Sequence, residues 1–294
     1  MMDILDTIIA NKRKEVIAQK EAVPLRTLLA LKSSQFERPV ISMREALAGS
    51  SCGIIAEFKR KSPSKGWLFP DAKVEDILPL YESGGASACS VLTDTVFFGG
   101  SLNDLGQARD LVQLPLLRKD FMVDEYQIFQ ARAMGADAIL LIASVLTPVE
   151  CLRLAREAFR LKMEVLLEIH HVDELNRLNP YIDMLGVNNR NLGTFDTSVD
   201  HSFRLIELIL KEIGEDPAVP LFVSESGLSD VQTILALRRV GFRGFLIGEM
   251  LMKTSEPGNT LKGFIGQLNN NDVSLCVGGF LAQRHGGAEI HREK

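Results

Sequence analysis

Two patterns of hydrophobic and polar positions divide the chain. Over the first fifty residues the apolar positions keep helical spacing. Ile4, Leu5, Ile8, Ile9, Val16 and Ile17 surround Lys12-Arg13-Lys14-Glu15, which predicts an amphipathic helix over 3–21. Pro24 stops that helix and opens a second, predicted over Leu25 to Leu31. Ser42-Met43-Arg44-Glu45 has the spacing of a capping box for a short helix through Leu47. No strand is expected in this region. From Gly53 onward a short apolar run, a polar or glycine-containing turn and an amphipathic stretch follow one another repeatedly. The runs predict strands at 53–58, 88–92, 114–117, 138–142, 164–168, 184–187, 221–224 and 244–247. The stretches predict helices at 74–83, 102–111, 125–133, 148–161, 172–178, 199–210, 229–240 and 261–268.

Strict alternation of strand and helix requires a parallel sheet, and the repeat is close to the ~30 residues of one βαβ unit. Eight units in succession suit a closed barrel, so the fold class is α/β, a (β/α)8 TIM barrel over 51–268 with an N-terminal helical extension over 1–50. The rival, an open doubly wound sheet, carries a glycine-rich turn after its first strand. Here the turn after Ala56 is charged. Residues 269–294 contain Asn269-Asn270-Asn271-Asp272 and paired glycines with no periodic face, and are expected to form a flexible C-terminal tail.

Composition narrows the function classes. The 294 residues are 46% hydrophobic and 24% charged, enough apolar material for a full core. The net charge of −5 offers no overall basic footprint for nucleic acid. Cys52, Cys89, Cys151 and Cys276 show no ligand or disulfide spacing and read as reduced thiols, with no metal site implied. The N-terminus lacks the pattern of a signal peptide, and no run reaches the ~18 apolar residues of a membrane span, so a cytoplasmic protein with no membrane partner is expected.

The ends of the strands carry the candidate chemistry. In a barrel of this class reactions occur at the C-terminal ends of the strands. The first strand runs into Glu57-Phe58-Lys59-Arg60-Lys61-Ser62, and the second leads to Phe97-Phe98-Gly99-Gly100. The third reaches Arg118-Lys119-Asp120-Phe121, and the fifth Glu168-Ile169-His170. The sixth reaches Asn188-Asn189-Arg190, the seventh Ser224-Glu225-Ser226-Gly227, and the eighth Phe245-Leu246-Ile247-Gly248-Glu249. Lys and Glu are rarely buried singly, so so many in phase point to one mouth that holds an anionic ligand. Lys59 and Lys119 would face that mouth together, and a nearby cation and burial would lower a lysine toward the range of a general acid. Glu57 and Glu168 would offset them or move protons. Asn188 and Arg190 would orient a carboxylate. Phe98 and Phe121 offer faces to an aromatic ring. Ser226, Gly227, Leu246, Gly248 and Glu249 lie in the last two strand-end regions, where this fold binds phosphate, and Ser62 can add a hydroxyl. His170 and His171 lack a third ligand and read as loop or packing residues. The residues alone imply a phosphorylated, carboxylated small molecule and leave the reaction open.

Ile55-Ala56-Glu57-Phe58-Lys59-Arg60-Lys61-Ser62-Pro63-Ser64, Leu117-Arg118-Lys119-Asp120-Phe121, Gly186-Val187-Asn188-Asn189-Arg190-Asn191-Leu192 and Ser224-Glu225-Ser226-Gly227 resemble the motifs of the indole-3-glycerol phosphate synthase family of tryptophan biosynthesis. The resemblance spans about residues 3–268. It implies conversion of 1-(2-carboxyphenylamino)-1-deoxyribulose 5-phosphate to indole-3-glycerol phosphate, with loss of carbon dioxide and water and no cofactor. It implies Lys119 as the acid that protonates the ketone oxygen. Lys59 would be a second cation, near the substrate carboxylate or active in dehydration. Glu168 would be a partner in dehydration, with Glu57 and Asn188 holding the network. Ser62, Arg190, Ser226, Gly227, Gly248 and Glu249 would contact substrate. A monomer is expected, with other enzymes of the pathway as open partners. The chain departs from the family in its tail and in a glycine of the Phe97-Phe98-Gly99-Gly100 turn, where asparagine is more usual. Rival readings are a related sugar-phosphate isomerase, a Schiff-base aldolase acting through Lys119, and a catalytically silent barrel.

Overall fold

The computed structural model describes residues 4–191, 196–214 and 220–282. Every one of the eight apolar runs becomes a strand. They are β1 (Ile54–Phe58), β2 (Ala88–Leu92), β3 (Leu116–Lys119), β4 (Ala138–Ile142), β5 (Glu164–Ile169), β6 (Met184–Asn188), β7 (Leu221–Glu225) and β8 (Gly244–Ile247). Neighbours pair in parallel, and β8 closes back on β1 with Leu246 opposite Ile55. The runs are continuously apolar because both faces of such a sheet are buried. One face, with Ile55, Leu117, Leu140, Leu166, Met184, Val223 and Leu246, fills the barrel. The other, with Ile54, Phe58, Val91, Val165 and Phe245, packs outward against the helices.

The helical ring consists of α5 (Val74–Ser83), α7 (Leu102–Leu111), α8 (Glu125–Ala133), α9 (Pro148–Arg160), a 3-10 helix (Val172–Arg177), α10 (Asp200–Ile213), α11 (Val231–Arg239) and α13 (Pro257–Ala282), with short turns α6 (Thr95–Phe98) and α12 (Glu249–Met252) between. α13 lies against α5 and α11 and completes the ring. Before β1 come α1 (Ile4–Ala22), α2 (Leu25–Leu31), α3 (Ser33–Glu37) and α4 (Met43–Ala48). α2 and α3 follow α8 along the outside. α4 plugs the N-terminal end of the barrel, where Met43 and Leu47 are fully buried in the interior cluster. Ser42 caps α4 as expected, accepting from Glu45 N at 3.0 Å. Glu164 accepts from the Met43 and Arg44 amides at 2.7 and 2.9 Å, a carboxylate on a helix N-terminus.

Several boundaries move for physical reasons. β3 begins two residues later than predicted because Pro115 has no N–H for the ladder. β5, β6 and β7 each run one residue further; in β6 and β7 the added residues, Asn188 and Glu225, find partners inside the barrel mouth. The stretch after β5 makes only a 3-10 helix. A hairpin of Lys61–Ser62 with Gly66–Trp67 stands over the mouth and was not expected. The backbone of α13 stays helical past Asn269 to Ala282, into the segment expected as a flexible tail. Asparagine costs a few tenths of a kcal/mol in a helix, which cannot stop one already held by buried Leu261, Phe264 and Leu268. Residues 1–3, Leu192 of the third motif and residues 283–294 of the expected tail lie outside the described residues. No described helix is long and apolar enough to cross a membrane.

Candidate active site

The period of two that fills the barrel with apolar side chains also delivers its chemistry. Continuing the interior phase of each strand toward its C-terminal end leads from Ile55 to Glu57, from Leu117 to Lys119, from Leu166 to Glu168, from Gly186 to Asn188 and from Val223 to Glu225. These side chains meet at the floor of a cavity of about 690 Å³. Lys119 Nζ donates to Glu168 Oε2 at 3.0 Å and lies 3.3 Å from Glu225 Oε2. Asn188 Nδ2 donates to the other oxygen of Glu168 at 2.9 Å. Lys59 Nζ donates to Glu57 Oε1 at 2.6 Å. Two glycines leave room for these carboxylates. A Cβ on Gly186 would lie 2.2 Å from Glu225 Oε1, and one on Gly248 would lie 2.5 Å from Glu57 Oε1.

Electrostatics separates the three glutamates' company by role. Burial pulls Lys119 down, but Glu168, Glu225 and Glu57 outweigh it and hold the ammonium above the ordinary lysine range. This reverses the expected lowering: the nearest charges are carboxylates, not Lys59. Burial raises Glu168, yet Lys119, the neighbouring His170 and the Asn188 hydrogen bond bring it below its ordinary value. Burial also raises Glu225, and its repulsion by Glu168 helps keep it at about 8 despite Lys119. Of the two carboxylates that share this ammonium, Glu168 is thus pushed toward ionisation and Glu225 toward protonation.

The cavity has two unlike sides. Phe98 and Phe121, with ring centroids 6.0 Å apart, form an apolar wall with Leu140 and Ile142, and α1 adds Ile4, Leu5 and Ile8. Across from it, Arg190 donates to Ser64 Oγ at 2.7 Å and to Glu249 Oε2 at 3.1 Å. Lys253 bonds the other oxygen of Glu249 at 2.5 Å. Ser226 and Gly227 turn with positive φ of 70° and 75°, pinned by Asn189 Nδ2 donating to Ser226 O at 3.0 Å. The hairpin brings in Ser62, whose hydroxyl accepts from Lys65 N at 3.2 Å. The glycine departure in the second strand-end turn has a local cause. Gly99 has φ 66°, and a Cβ there would sit 2.8 Å from the Trp67 ring.

All the residues singled out from sequence line this one cavity: Glu57, Lys59, Ser62, Phe98, Lys119, Phe121, Glu168, Asn188, Arg190, Ser226, Gly227, Leu246, Gly248 and Glu249. In the sequence Glu225 stands out only as part of a motif, although its parity with Val223 is a signal for it. The contribution of α1 and of Lys253 had no such signal. His170 is buried with Nε2 3.7 Å from Glu168 Oε1, and among the described residues neither ring nitrogen has a hydrogen-bond partner. Among the described residues no group of side chains forms a metal site.

A closed (β/α)8 barrel thus carries a buried lysine–glutamate cluster at the C-terminal ends of its strands. Solved structures of the tryptophan synthase alpha-subunit from Pyrococcus furiosus share the fold, with a TM-score of 0.55 at 12–13% identity over 74–75% of this chain and 98% of theirs. The chain belongs to the indole-3-glycerol phosphate synthase family, whose model matches residues 5–264. It is 54% identical to the indole-3-glycerol phosphate synthase of Bacteroides thetaiotaomicron over 90% of this chain and 98% of the relative. It is 41% identical to that of Leptothrix cholodnii over 89% and 98%. The protein is accordingly a decarboxylating lyase of tryptophan biosynthesis.

Proposed function

We propose that the cavity closes the indole ring of 1-(2-carboxyphenylamino)-1-deoxyribulose 5-phosphate, with the aromatic ring against Phe98 and Phe121 and the phosphate toward Ser226, Gly227 and Gly248. Lys119, held between Glu168 and Glu225, is the observation that carries this reading. The ring carbon bearing the carboxylate attacks the ketone carbon. Lys119 gives its proton to the ketone oxygen, which becomes a hydroxyl. A developing alkoxide is far more basic than an amine, so a raised lysine still donates to it. Carbon dioxide then leaves, and its bonding electrons restore the aromatic ring. Glu225, protonated at neutral pH, returns a proton to Lys119. The hydroxyl departs as water on a second proton from Lys119, while Glu168 takes the proton lost from the adjacent methylene. Lys59 balances the substrate carboxylate until it leaves, and Glu57 holds Lys59. Asn188 fixes the orientation of Glu168. Arg190 and Glu249 set the polar rim. Ser62 contacts substrate from the hairpin.

The test is to supply the purified protein with this sugar phosphate and follow indole absorbance. Formation of the indole chromophore is expected, and its absence with folded, phosphate-binding protein would sink the reading. Borohydride added during turnover is expected to leave Lys119 unmodified; a trapped adduct would favour the aldolase. The described residues that line the cavity all come from one chain, which supports a monomer. Sedimentation equilibrium is expected at 32.5 kDa for the active species.

A further inference from the structure

A lysine of the N-terminal extension holds the parts of the site that surround Lys119. Lys12 lies in the middle of α1 with its side chain 1% exposed. Its ammonium sits 2.9 Å from Asp94 Oδ2, 3.0 Å from Asp120 Oδ1 and 2.8 Å from Glu15 Oε2. Asp94 and Asp120 are themselves buried at the ends of β2 and β3. Asp94 caps α6 by accepting from Phe97 N at 2.8 Å, and α6 carries Phe98. Asp120 follows Lys119 directly and accepts from Phe121 N at 2.9 Å. Its other oxygen takes Thr93 Oγ1 at 2.6 Å and Arg118 at 3.0 Å. Thr93 N in turn donates to Lys119 O at 3.1 Å. Asp94 Oδ2 makes no hydrogen bond to any other described group.

We propose that Lys12 is a positioning residue for the ring closure: by clamping Asp94 to Asp120 it sets the spacing of Phe98 and Phe121 and the placement of Lys119 between Glu168 and Glu225. The proposal rests on the acid role of Lys119 given above. The charge balance supports it. Two buried aspartates meet one buried arginine, Arg118, and the missing positive charge comes from the N-terminal extension. Burial opposes that charge, but Asp120 and Asp94 hold Lys12 above the ordinary lysine range, so the clamp stays closed throughout the working pH. The geometry is demanding because a displacement of about 1 Å at a reacting group costs on the order of 10²-fold in rate.

A purely structural lysine would lower thermal stability and leave the folded enzyme's rate alone. The full chain is compared with Lys12→Met and with Lys12→Met/Asp94→Asn. The double change removes the unpaired carboxylate while asparagine keeps the cap of α6. Each is assayed for indole formation at a temperature where circular dichroism shows it fully folded. The expected result is a fall in kcat of at least ~10-fold in both variants, KM changing less than kcat, with Tm recovering in the double variant and kcat not. A kcat within twofold of the parent in the folded variants, or a kcat that recovers along with Tm, overturns the proposal. Failure of the parent itself to form indole would instead overturn the assigned reaction.

Discussion

Lys119 stands between two carboxylates that hold different numbers of protons. Lys119, His170 and Asn188 lower Glu168 against its burial, while burial and the nearby Glu168 push Glu225 up to about 8. kcat/KM is therefore expected to fall as pH rises through about 8, where Glu225 loses its proton. Glu225→Gln is expected to abolish that limb, and a limb that survives in the variant assigns it elsewhere. Stability gives an independent reading. A carboxyl whose folded value is raised favours folding most below its unfolded value and loses that advantage as pH climbs to the folded one. The Tm gain of Glu225→Gln over the parent is thus expected to grow between pH 4.5 and about 8 and then level. A gain independent of pH would show that Glu225 is not buried with its proton. Lys119→Ala is expected to cost at least ~10²-fold in turnover, the usual minimum for a general acid, and a near-normal rate would refute its role. Most of these residues could be found by following strand parity from an apolar interior position to the next polar one. What parity could not give was the sign of each shift, which depends on the distances among three glutamates and two lysines from different strands.

The elements divide the work of the N-terminal extension between the two ends of the barrel. α1 reaches the mouth with Ile4, Leu5, Ile8 and Lys12, while α4 seals the opposite end with Met43 and Leu47. Substitution at the sealed end should therefore affect stability and not chemistry. Leu47→Ala is expected to cost about 2–5 kcal/mol in denaturant unfolding, as large-to-small changes in a packed core do, with kcat and KM unchanged in the folded enzyme. A loss of activity without a loss of stability would contradict this division. The helical periods of both elements were legible in sequence, as was the cap of α4 by Ser42. Their opposite destinations were not, because periodicity shows which face is apolar and not which partner covers it.

Across the whole molecule, buried carboxylates set the limits of stability in acid. Arg118, Lys12 and Thr93 overcome the burial of Asp120 and lower it, and Lys119, His170 and Asn188 do the same for Glu168. Groups lowered by folding stabilise the protein above their unfolded values of 3.8 and 4.5, and that contribution is lost as pH falls through the lower folded values. Tm is expected to drop steeply below about pH 4 by calorimetry. In Lys12→Met the drop should begin at higher pH, since Asp120 is less well paired; an unchanged acid limb would argue that Lys12 does not carry that pairing. Closure of the sheet is what brings these groups together: Leu246 of β8 meets Ile55 of β1, and the residues at both ends of the chain order then share one mouth.

The alternation of strands and helices, the closed parallel barrel and the candidate residues at its mouth are all legible in the amino-acid sequence. They are legible because they follow from local periodicity and from a cluster of charges in phase at strand ends. The continuation of α13 past Asn269, the hairpin over the mouth, the upward shift of Glu225 and the reach of Lys12 into Asp94 and Asp120 come from tertiary contacts. Each depends on packing or on charges distant in sequence. For Lys12 the reason is plain in the geometry: an ordinary lysine in an amphipathic helix became buried because two aspartates, more than eighty residues away at Asp94 and more than a hundred at Asp120, were left one positive charge short.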